Sequence, residues 1–478
     1  MRRAEPVHNT VFERRRPADG LVDAALREAR DACFWIEDVA TPLRFPTLTG
    51  DLTCDLAVVG GGYTGLWTAV RAKQRDPGRR VVLVESRRLG WAASGRNGGF
   101  CAASLTHGED NGRARWPEEY AALERLGTEN LSAIESTIRT HGMSVDFERT
   151  GELSVAIEPH QVGWLEEAAE AGGGLVLDGE QVRKLVDSPT YLAGLLADDT
   201  ALLHPAKMVD ELARVATDLG VEIFEDSHVQ PLEGSRGGPI TLRTAAGSLR
   251  AGQVALGTNA FPALVRRYRP YTVPVYDFAV MTEPLSASQL TSIGWDGRQG
   301  IDDSANQFHY YRLSADNRIL FGGYDAVYHF GKKVSPEHER RPATYRRLVS
   351  HLLTTFPQLE GVRITHQWAG AIDTSTRFCA FYGLAHEGRV AHAAGFTGLG
   401  VGATRFAGDV LLDLLDGGDT ERTRLEMVQT KPLPFPPEPL ASVGVQITRW
   451  SLDRADHRQG KRNAWLRTLD RFGLGFDS

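Results

Sequence analysis

The sequence has few cysteines, and their spacing is not typical of a metal site or a disulfide scaffold. Its 478 residues include four cysteines, Cys33, Cys54, Cys101 and Cys379, with no C-x-x-C pair among them. Widely separated cysteines are typical of free thiols in a reducing compartment. We therefore expect a cytoplasmic protein with buried thiols and without a metal site.

Other absences exclude further classes of protein. No run of about eighteen apolar residues occurs, so no membrane insertion is expected. The amino terminus has arginines but no apolar core after them, so a secretory signal is not expected. A net charge of -7 offers no basic excess for nucleic acid. The motifs G-x-S-x-G, H-E-x-x-H and the P-loop are also missing.

The most informative stretch lies between residues 54 and 100. Residues 56–59 are apolar and β-branched, as in a buried parallel strand, and residues 60–65 (GGGYTG) match G-x-G-x-x-G. A helical pattern over 64–75, a second apolar strand over 81–84 and Glu85 follow. This order of strand, glycine turn, helix, strand and acid predicts a dinucleotide-binding unit.

Each glycine of the turn has a separate physical role. Gly60 allows a sharp turn, Gly62 lets a pyrophosphate approach the backbone, and Gly65 lets helix and strand pack closely. The helix amino terminus offers unpaired N–H groups to the phosphates. Glu85 stands where a carboxylate can accept hydrogen bonds from ribose hydroxyls.

Residues 94–99 (SGRNGG) form a second segment with little side-chain bulk. Such a loop could line an extended cofactor such as FAD, or it could be an ordinary surface loop. The residues alone leave both interpretations open.

The stretch resembles the amino-terminal signature of the D-amino-acid oxidase superfamily, which includes glycine, sarcosine and D-amino-acid oxidoreductases. The SGRNGG loop is similar to that of the γ-glutamylputrescine oxidoreductase-like branch. The resemblance implies an α/β fold, in which a Rossmann-like FAD-binding domain of the glutathione-reductase type is interleaved with an antiparallel-sheet substrate domain. It implies FAD contacts at Gly60, Gly62, Tyr63, Thr64, Gly65, Glu85, Ser86, Ser94, Gly95, Arg96, Asn97, Gly98 and Gly99.

A second glycine-rich turn, GFTGLGVG, lies at residues 395–402 before a helical pattern. By itself it could be a turn that only packs tightly. Beside the first fingerprint, we interpret it as a cofactor turn whose helix start faces the flavin N1–C2=O edge. The resemblance extends the set of cofactor residues to Val229, Thr258, Asn259, Gly395, Thr397, Gly398, Leu399, Gly400 and Val401.

The pattern of the whole chain predicts seven consecutive segments. They are an amino-terminal extension (1–50), FAD-binding segments (51–143, 199–265 and 365–428), substrate-domain segments (144–198 and 266–364) and a carboxy-terminal tail (429–478). Within the extension, residues 21–36 have a helical pattern. The extension could cap the cofactor domain or simply pack against it. Within the tail, residues 450–472 are predicted to form a solvated amphipathic helix with Trp465, Leu466 and Leu469 docked, and a nucleic-acid or membrane role is the alternative.

The resemblance implies hydride transfer from a C–H bond next to an amine nitrogen to flavin N5. Tyr276, His309, Tyr311 and Trp368 could form an aromatic box for the amine, or they could be core aromatics. Strand alternation puts His309 and Tyr311 on one face and Tyr310 on the other. Arg312 or Arg377 could hold a substrate carboxylate, or each could be a structural arginine.

Two departures from the family affect the expected chemistry. Sarcosine oxidases bind FAD covalently through a cysteine whose place here is near Trp368 and Ala369, so we expect non-covalent FAD. Phe321 aligns with the lysine that promotes reaction with oxygen, which leaves oxygen or another electron acceptor open. We predict oxidation of a small amine or amino acid. The alternatives are an FAD-dependent dehydrogenase of an alcohol or hydroxy acid, and an inactive flavin-binding scaffold.

Overall fold

The computed structural model describes residues 8–234 and 237–474. Its strands are β1 Arg30–Asp31, β2 Gly50–Val59, β3 Val81–Val84, β4 Phe100–Ala102, β5 Glu152–Ala156, β6 Leu175–Asp178, β7 Ala193–Ala197, β8 Thr200–Leu202, β9 Glu222–Phe224, β10 Glu233–Gly234, β11 Ile240–Arg243, β12 Gly247–Leu256, β13 Val273–Thr282, β14 Gly300–Asp303, β15 His309–Leu313, β16 Ile319–Gly323, β17 Val327–Tyr328, β18 Ile364–Thr374, β19 Phe381–Ala385 and β20 Val390–Ala394.

The helices connect these strands and cover both sheets. They are α1 Val11–Arg14, α2 Asp19–Leu26, α3 Phe34–Glu37, α4 Tyr63–Arg75, α5 Ala93–Arg96, α6 Glu109–Arg115, α7 Tyr120–Thr140, α8 Val162–Glu170, α9 Gly179–Leu185, α10 Pro205–Asp218, α11 Ala287–Ile293, α12 Pro342–Thr355, α13 Gly400–Leu415, α14 Glu421–Arg424, α15 Glu426–Gln429, α16 Leu440–Asp456 and α17 Ala464–Arg471. None of the described helices combines the length and apolar character needed to cross a bilayer.

The first sheet has a parallel centre made of β20, β12, β2, β3 and β9. The side chains of β3 are all buried, because helices α4, α10 and α13 cover one face of the sheet and residues of β11 pack on the other. Strand β2 leads directly into the first glycine turn and β20 into the second. Both turns therefore lie at the carboxyl edge of one parallel sheet, where ligands bind in folds of this type.

The second sheet has the order β1-β18-β13-β16-β15-β14-β5-β7-β6 and is mostly antiparallel. Its parallel pairs are β1 with β18 and β14 with β5. Strands β15 and β16 form a hairpin in this sheet, with Tyr311 opposite Phe321. The predicted fold class, a parallel cofactor layer combined with an antiparallel sheet, is confirmed.

Strand β18 shows where a predicted segment boundary differs from the sheet pairing. Residues 365–428 were assigned to the cofactor domain, but β18 pairs with β13 over most of its length in the ten-stranded sheet. By its pairing, β18 therefore belongs with the substrate-domain segment that ends at residue 364. The sequence pattern could not show that this strand pairs with β13. The other boundaries stay predictions.

The continuous helix predicted over residues 21–36 is wrong. Helix α2 ends at Leu26, β1 follows, and α3 begins at Phe34. Arg30 pairs with His366 and Asp31 with Gln367, so this stretch joins the edge of the ten-stranded sheet instead. Phe34 and Trp35 are buried against Trp368. The extension therefore packs against the ten-stranded sheet at this point.

Candidate active site

The first glycine turn is closed by backbone contacts that exclude side chains. Gly60 has φ +112°, and a Cβ there would lie 2.4 Å from Gly257 O. A Cβ at Gly65 would lie 1.9 Å from Gly60 O, because helix α4 packs directly onto the turn. The turn is thus held close to the start of the helix, as the motif predicts.

Glu85 fixes this turn from the end of β3. Its Oε2 accepts a hydrogen bond from Gly61 N at 2.6 Å. Its Oε1 accepts hydrogen bonds from Ser86 Oγ at 2.8 Å and Trp91 Nε1 at 3.0 Å. The buried carboxylate is therefore oriented before any ligand arrives. Contact of Glu85 and Ser86 with a ribose stays a prediction.

The SGRNGG loop connects to the start of α4. Ser94 Oγ accepts a hydrogen bond from Tyr63 N at 3.0 Å, while the Tyr63 hydroxyl donates to Pro205 O. Asn97 Nδ2 donates to Ala93 O and Ser94 O, and its Oδ1 accepts from Gly99 N at 2.8 Å. The polar residues of the loop hold it in one conformation beside the first turn.

The glycines of this loop allow three close approaches. A Cβ at Gly95 would lie 2.3 Å from Gly90 O, and one at Gly99 would lie 2.2 Å from Leu203 O. A Cβ at Gly98 would lie 2.7 Å from the Tyr310 ring. This loop is therefore part of the interior, between the two sheets, and is not an ordinary surface loop.

The second glycine turn is held by Asp373, a residue that the sequence did not indicate. Asp373 Oδ2 accepts a hydrogen bond from Gly395 N at 2.6 Å. Thr397 Oγ1 donates to Gly395 O at 3.0 Å and accepts from Ser375 N at 3.1 Å. Burial raises the pKa of Asp373 to about 7. Its carboxyl positions the turn from which α13 begins.

Several features of the site fit FAD. Thr64 and Leu399, Gly400 and Val401 lie at helix starts that line one cavity. Thr258 Oγ1, at the end of β12, is buried without a hydrogen-bond partner in the structure. Both helix starts are suited to anionic groups, and Thr258 offers a polar atom that a ligand can satisfy.

The remaining predicted cofactor residues lie around the same turns. Asn259 and Gly398 line the cavity, with φ values of +50° and +94°. Val229 is buried beside Ala57 and Val59, near the first strand. Their contacts with the cofactor stay predictions.

The cavity has a volume of about 2370 Å³ and runs between the glycine turns and the ten-stranded sheet. On the sheet side it is lined by Trp368, Gly370, Asp277, Ala279 and Tyr310. Trp368 Nε1 donates to Arg96 O at 2.8 Å, which fixes its ring beside the loop. Tyr276 borders the cavity, although its side chain is buried and hydrogen-bonded to Ser335.

The expectation that His309 and Tyr311 line the pocket is wrong. The alternation along β15 is as predicted, but these two side chains point into the opposite core, where they are 0% and 1% exposed. His309 bonds Asp303 at 2.7 Å and His351 at 2.8 Å, and the Tyr311 hydroxyl bonds that of Tyr191. The cavity face of β15 instead carries Tyr310.

The two arginines proposed to hold a carboxylate are structural. Arg312 is 1% exposed and donates to Leu203 O at 2.7 Å. Arg377 is 3% exposed and donates to Met427 O at 2.9 Å. Both guanidinium groups are committed to backbone carbonyls, which agrees with the structural alternative stated for each arginine and not with binding of a substrate carboxylate.

Phe321 and Cys379 also lie away from the cavity. Phe321 is 0% exposed and stacks on Tyr311 with ring centroids 5.0 Å apart, on the core face of its strand. It therefore does not occupy the place of a side chain that faces the flavin. Cys379 is buried in the core cluster behind the cofactor layer.

The cavity floor is acidic. Asp277 Oδ2 accepts a hydrogen bond from the Tyr310 hydroxyl at 2.5 Å. Further along the same face, Asp302 accepts from Ser154 and Glu152 from Thr200, and burial raises the pKa of both carboxyls. Burial also lowers the pKa of His107, which lines the cavity beside Thr397, to about 4.

The arginines along the cavity are paired with carboxylates. Arg96 contacts Glu339 at 2.7 Å, Arg449 contacts Asp325 at 3.0 Å, and Arg462 contacts Asp470 at 2.7 Å. Each of these cations is therefore already paired with a neighbouring acid, and Asp325 is shared between Arg449 and Arg347. Asp277, whose pKa of about 6 leaves it ionised at pH 7, therefore favours a positively charged ligand over a negatively charged one in its part of the cavity.

The tail contributes one side of the cavity. Leu440, Val443 and Ile447 of α16 line it and are 62%, 52% and 38% exposed. The helix is held in place by Arg449, which pairs with Asp325, and by Ser451 and Ala455, which are buried one and two turns beyond Ile447. The predicted continuous helix over residues 450–472 is wrong, because α16 ends at Asp456 and α17 begins at Ala464, whereas the predicted docking of Leu466 is confirmed by its 1% exposure.

Sequence reasoning missed Tyr310, Asp277 and Asp373. The alternation of β15 divided Tyr310 from Tyr311 correctly, but it could not tell which face meets the cofactor layer. An acid in the apolar strand pattern around Asp277 was a signal, because a buried carboxylate in such a strand needs a polar reason. Asp373 had no comparable signal.

Comparisons with known proteins agree with this geometry. The family model described as "DAO: FAD dependent oxidoreductase" matches residues 55–414. Gamma-glutamylputrescine oxidoreductase of Escherichia coli (strain K12) is 32% identical over 395 residues, which cover 79% of this chain and 87% of the relative. A probable oxidoreductase OrdL of Haemophilus influenzae is 29% identical over 399 residues, covering 81% and 88%.

Solved structures extend the likeness to the fold. Glycine oxidase from Geobacillus kaustophilus superposes with a TM-score of 0.66 at 18% identity, covering 80% of this chain and 100% of that chain. L-proline dehydrogenase from P. horikoshii has a TM-score of 0.63 at 20% identity, covering 78% and 95%. At these identities the likeness concerns the fold alone.

Proposed function

We propose that this chain, which belongs to the DAO family of FAD-dependent oxidoreductases, oxidises the CH–NH bond of a small amine to an imine. FAD, when bound, supplies the two-electron acceptor for the hydride. The curated relative from Escherichia coli is named for γ-glutamylputrescine, and solved neighbours are named for glycine and proline. These names support a substrate with a nitrogen next to the oxidised carbon.

The observation that carries the proposal is the charge of the cavity. Its floor presents the Asp277 carboxylate beside the Tyr310 and Trp368 rings, and the arginines along it are already paired with acids. A carboxylate and aromatic faces bind a cationic amine, whereas a hydroxy acid needs an available cation for its carboxylate. This favours the amine over the alternative of a hydroxy-acid dehydrogenase.

We further propose that FAD is bound without a covalent link and that the chain works in the cytoplasm. All four cysteines are free and buried. Trp368 and Ala369, near the place where sarcosine oxidases have the linking cysteine, have no thiol. Free thiols are also what a reducing compartment maintains.

An anaerobic absorbance titration tests the proposed reaction. The purified protein is mixed with a panel that includes γ-glutamylputrescine, sarcosine, glycine, D-amino acids and 2-hydroxy acids. Loss of the visible flavin band with an amine supports the proposal. Loss with hydroxy acids alone overturns it, and a yellow protein that nothing in the panel bleaches supports the inactive scaffold.

Re-admitting air to the bleached protein then identifies the electron acceptor. Rapid return of the band identifies oxygen, and a band that stays bleached identifies another acceptor. Denaturation with acid, followed by filtration, tests the link to the cofactor. Flavin in the filtrate supports non-covalent binding, whereas flavin retained with the protein overturns it.

A further inference from the structure

We propose that Asp277, acting through the Tyr310 hydroxyl, takes the proton of the substrate ammonium and so prepares the neutral amine for oxidation. The inference rests on the proposed amine oxidation and assigns a catalytic residue to it. Asp277 and Tyr310 would be in contact with the substrate, and the proton transfer would precede the loss of hydride.

The position of Asp277 follows from the pairing of β13. Asp277 is opposite Gly370 of β18, and its neighbours on the same face, Val275 and Ala279, also line the cavity. Phe278, on the other face, is 0% exposed in the core. Because Gly370 has no side chain, the surface beside Asp277 is open toward the cavity.

Tyr310 is held so that its hydroxyl reaches this carboxylate. A Cβ at Gly322 would lie 2.6 Å from the Tyr310 ring, and one at Gly98 would lie 2.7 Å from it. The ring therefore fits between the SGRNGG loop and the ten-stranded sheet only because both positions are glycine. Its hydroxyl donates to Asp277 Oδ2 at 2.5 Å and lies at the junction of the two layers.

The electrostatic surroundings suit a proton acceptor at neutral pH. Burial raises the pKa of Asp277 to about 6, while the Tyr310 hydrogen bond and the amides of Phe278 and Gly323 act in the opposite direction. The carboxyl is thus ionised at pH 7, yet basic enough to hold a proton for part of the reaction.

Other charged and titratable groups packed near Asp277 already have partners. Arg96, beside Gly370, is paired with Glu339. His309, on the far face of β15, is bonded to Asp303, and the Tyr345 hydroxyl of α12 donates to Glu339 O. Because these groups are already hydrogen-bonded or ion-paired, Asp277 is the acid that faces the Tyr310 side of the cavity.

The proton transfer is balanced without a further reactant. An ammonium nitrogen has no free electron pair to stabilise the cation that forms when hydride leaves the adjacent carbon. One N–H proton passes to Tyr310 Oη as the Tyr310 proton passes to Asp277 Oδ2. The products are a neutral amine, an unchanged tyrosine and a neutral carboxylic acid, and no electrons are transferred in this step.

The test compares holoenzymes of the wild type, Asp277→Asn and Asp316→Asn. Asp316 lies in the hairpin turn beside β15, with its side chain 47% exposed, and serves as the matched control. Flavin reduction by the best amine is followed in an anaerobic stopped-flow instrument from pH 5 to pH 9. Flavin content and Tm confirm that each variant is folded and loaded.

In the wild type, the second-order rate constant for reduction should rise as pH increases through about 6, where Asp277 loses its proton. In Asp277→Asn this rise near pH 6 should be absent, and the rate constant should be roughly 100-fold lower than in the wild type at pH 7. The rate constant should recover at high pH, where the free base of the amine is abundant. Asp316→Asn should follow the wild type. Asp277→Glu, which keeps a carboxylate, should retain the rise at a shifted pH.

A binding measurement gives a readout independent of turnover. A tert-alkyl amine, which has no hydrogen on the carbon next to nitrogen, is titrated calorimetrically at pH 7.5 into the holoenzymes. Buffers of different ionisation enthalpy report protons exchanged with solvent. The wild type should release none, because the proton stays within the pair formed by the bound amine and the Asp277 carboxylate, whereas Asp277→Asn should release about one proton per neutral amine bound.

The outcomes separate two failures. If no amine reduces the wild type, the proposed function fails and this inference falls with it. Suppose instead that amines reduce the wild type, and that Asp277→Asn has the same reduction rate constant, the same rise near pH 6 and the same number of protons released on amine binding. The proposed function then stands and the role of Asp277 is overturned.

Discussion

The two layers that meet at the cavity are specified in different ways. In the cofactor layer, residues close in sequence make the site, as when Glu85 binds Gly61 and Ser94 binds Tyr63. In the substrate sheet, the site depends on which face of each strand meets the other layer. Tyr310 and Tyr311 are neighbours in sequence, yet one lines the cavity and the other lies in the core.

This difference explains what can be changed in each layer. In the cofactor layer, Gly60, Gly65 and Gly402 tolerate almost no added volume, because a Cβ at each would lie within 2.4 Å of a backbone oxygen. The substrate face can exchange side chains as long as the opposite face keeps its core. A common cofactor layer can therefore serve different substrates, a division of labour that holds for many folds.

The largest expected effect comes from adding a methyl group in the cofactor layer. In Gly65→Ala the new Cβ would meet Gly60 O at 1.9 Å, so the turn must shift. We expect a cost of about 1–3 kcal/mol, which weakens FAD binding roughly 10- to 100-fold. Flavin content and a fluorescence titration of the apoprotein measure it.

Gly163→Ala is the control for that variant. Gly163 also lies inside a helix, α8, but a Cβ there has nothing within 4 Å. Its flavin content should equal that of the wild type, and its stability should be equal or slightly higher. Equal flavin affinity in Gly65→Ala and Gly163→Ala would contradict the close packing described for the turn.

The next prediction divides the two faces of β15. Tyr310→Phe should slow flavin reduction by an amine roughly 100-fold, because the proton path to Asp277 is lost, with little change in Tm. Tyr311→Phe should leave reduction unchanged and lower the free energy of unfolding by about 1 kcal/mol, since the Tyr191 hydroxyl loses its partner. Stopped-flow traces and thermal melts that showed the reverse pattern would place Tyr311 at the cavity.

The smallest effect concerns pH and the second turn. Burial raises the pKa of Asp373 to about 7 from an ordinary value of 3.8. The contribution of its carboxyl to the free energy of unfolding is therefore complete below about pH 4 and is lost as pH rises through 7. Asp373→Asn, which can still accept from Gly395, should therefore gain stability relative to wild type by about 1–2 kcal/mol between pH 5 and pH 9.

Thermal melts of both holoproteins across this pH range measure the gap in Tm. The gap should widen from pH 5 to about pH 7 and stay constant above it, and the same comparison for Asp316→Asn should stay flat across the whole range. A constant gap for Asp373→Asn would show that the carboxyl titrates at its ordinary pKa.

Much of the cofactor layer was predictable, because its signals are local. The glycine spacing, the apolar strands and Glu85 indicate the turn, and family resemblance indicates the flavin. The faces of β15, the pairing of β18 and the partners of Arg312 were not predictable, since each depends on contacts between distant parts of the chain. Strand alternation separates two faces but does not say which one faces the cavity.

The carboxy-terminal helices have a practical and an evolutionary consequence. The family match ends at residue 414, yet Leu440, Val443 and Ile447 beyond it line the cavity. Exchanging α16 and α17 for a different segment would change the side chains at the cavity wall and so the molecules that fit it, while the residues of the cofactor layer stay the same. For the bench, the same arrangement recommends placing affinity tags at the other end of the polypeptide.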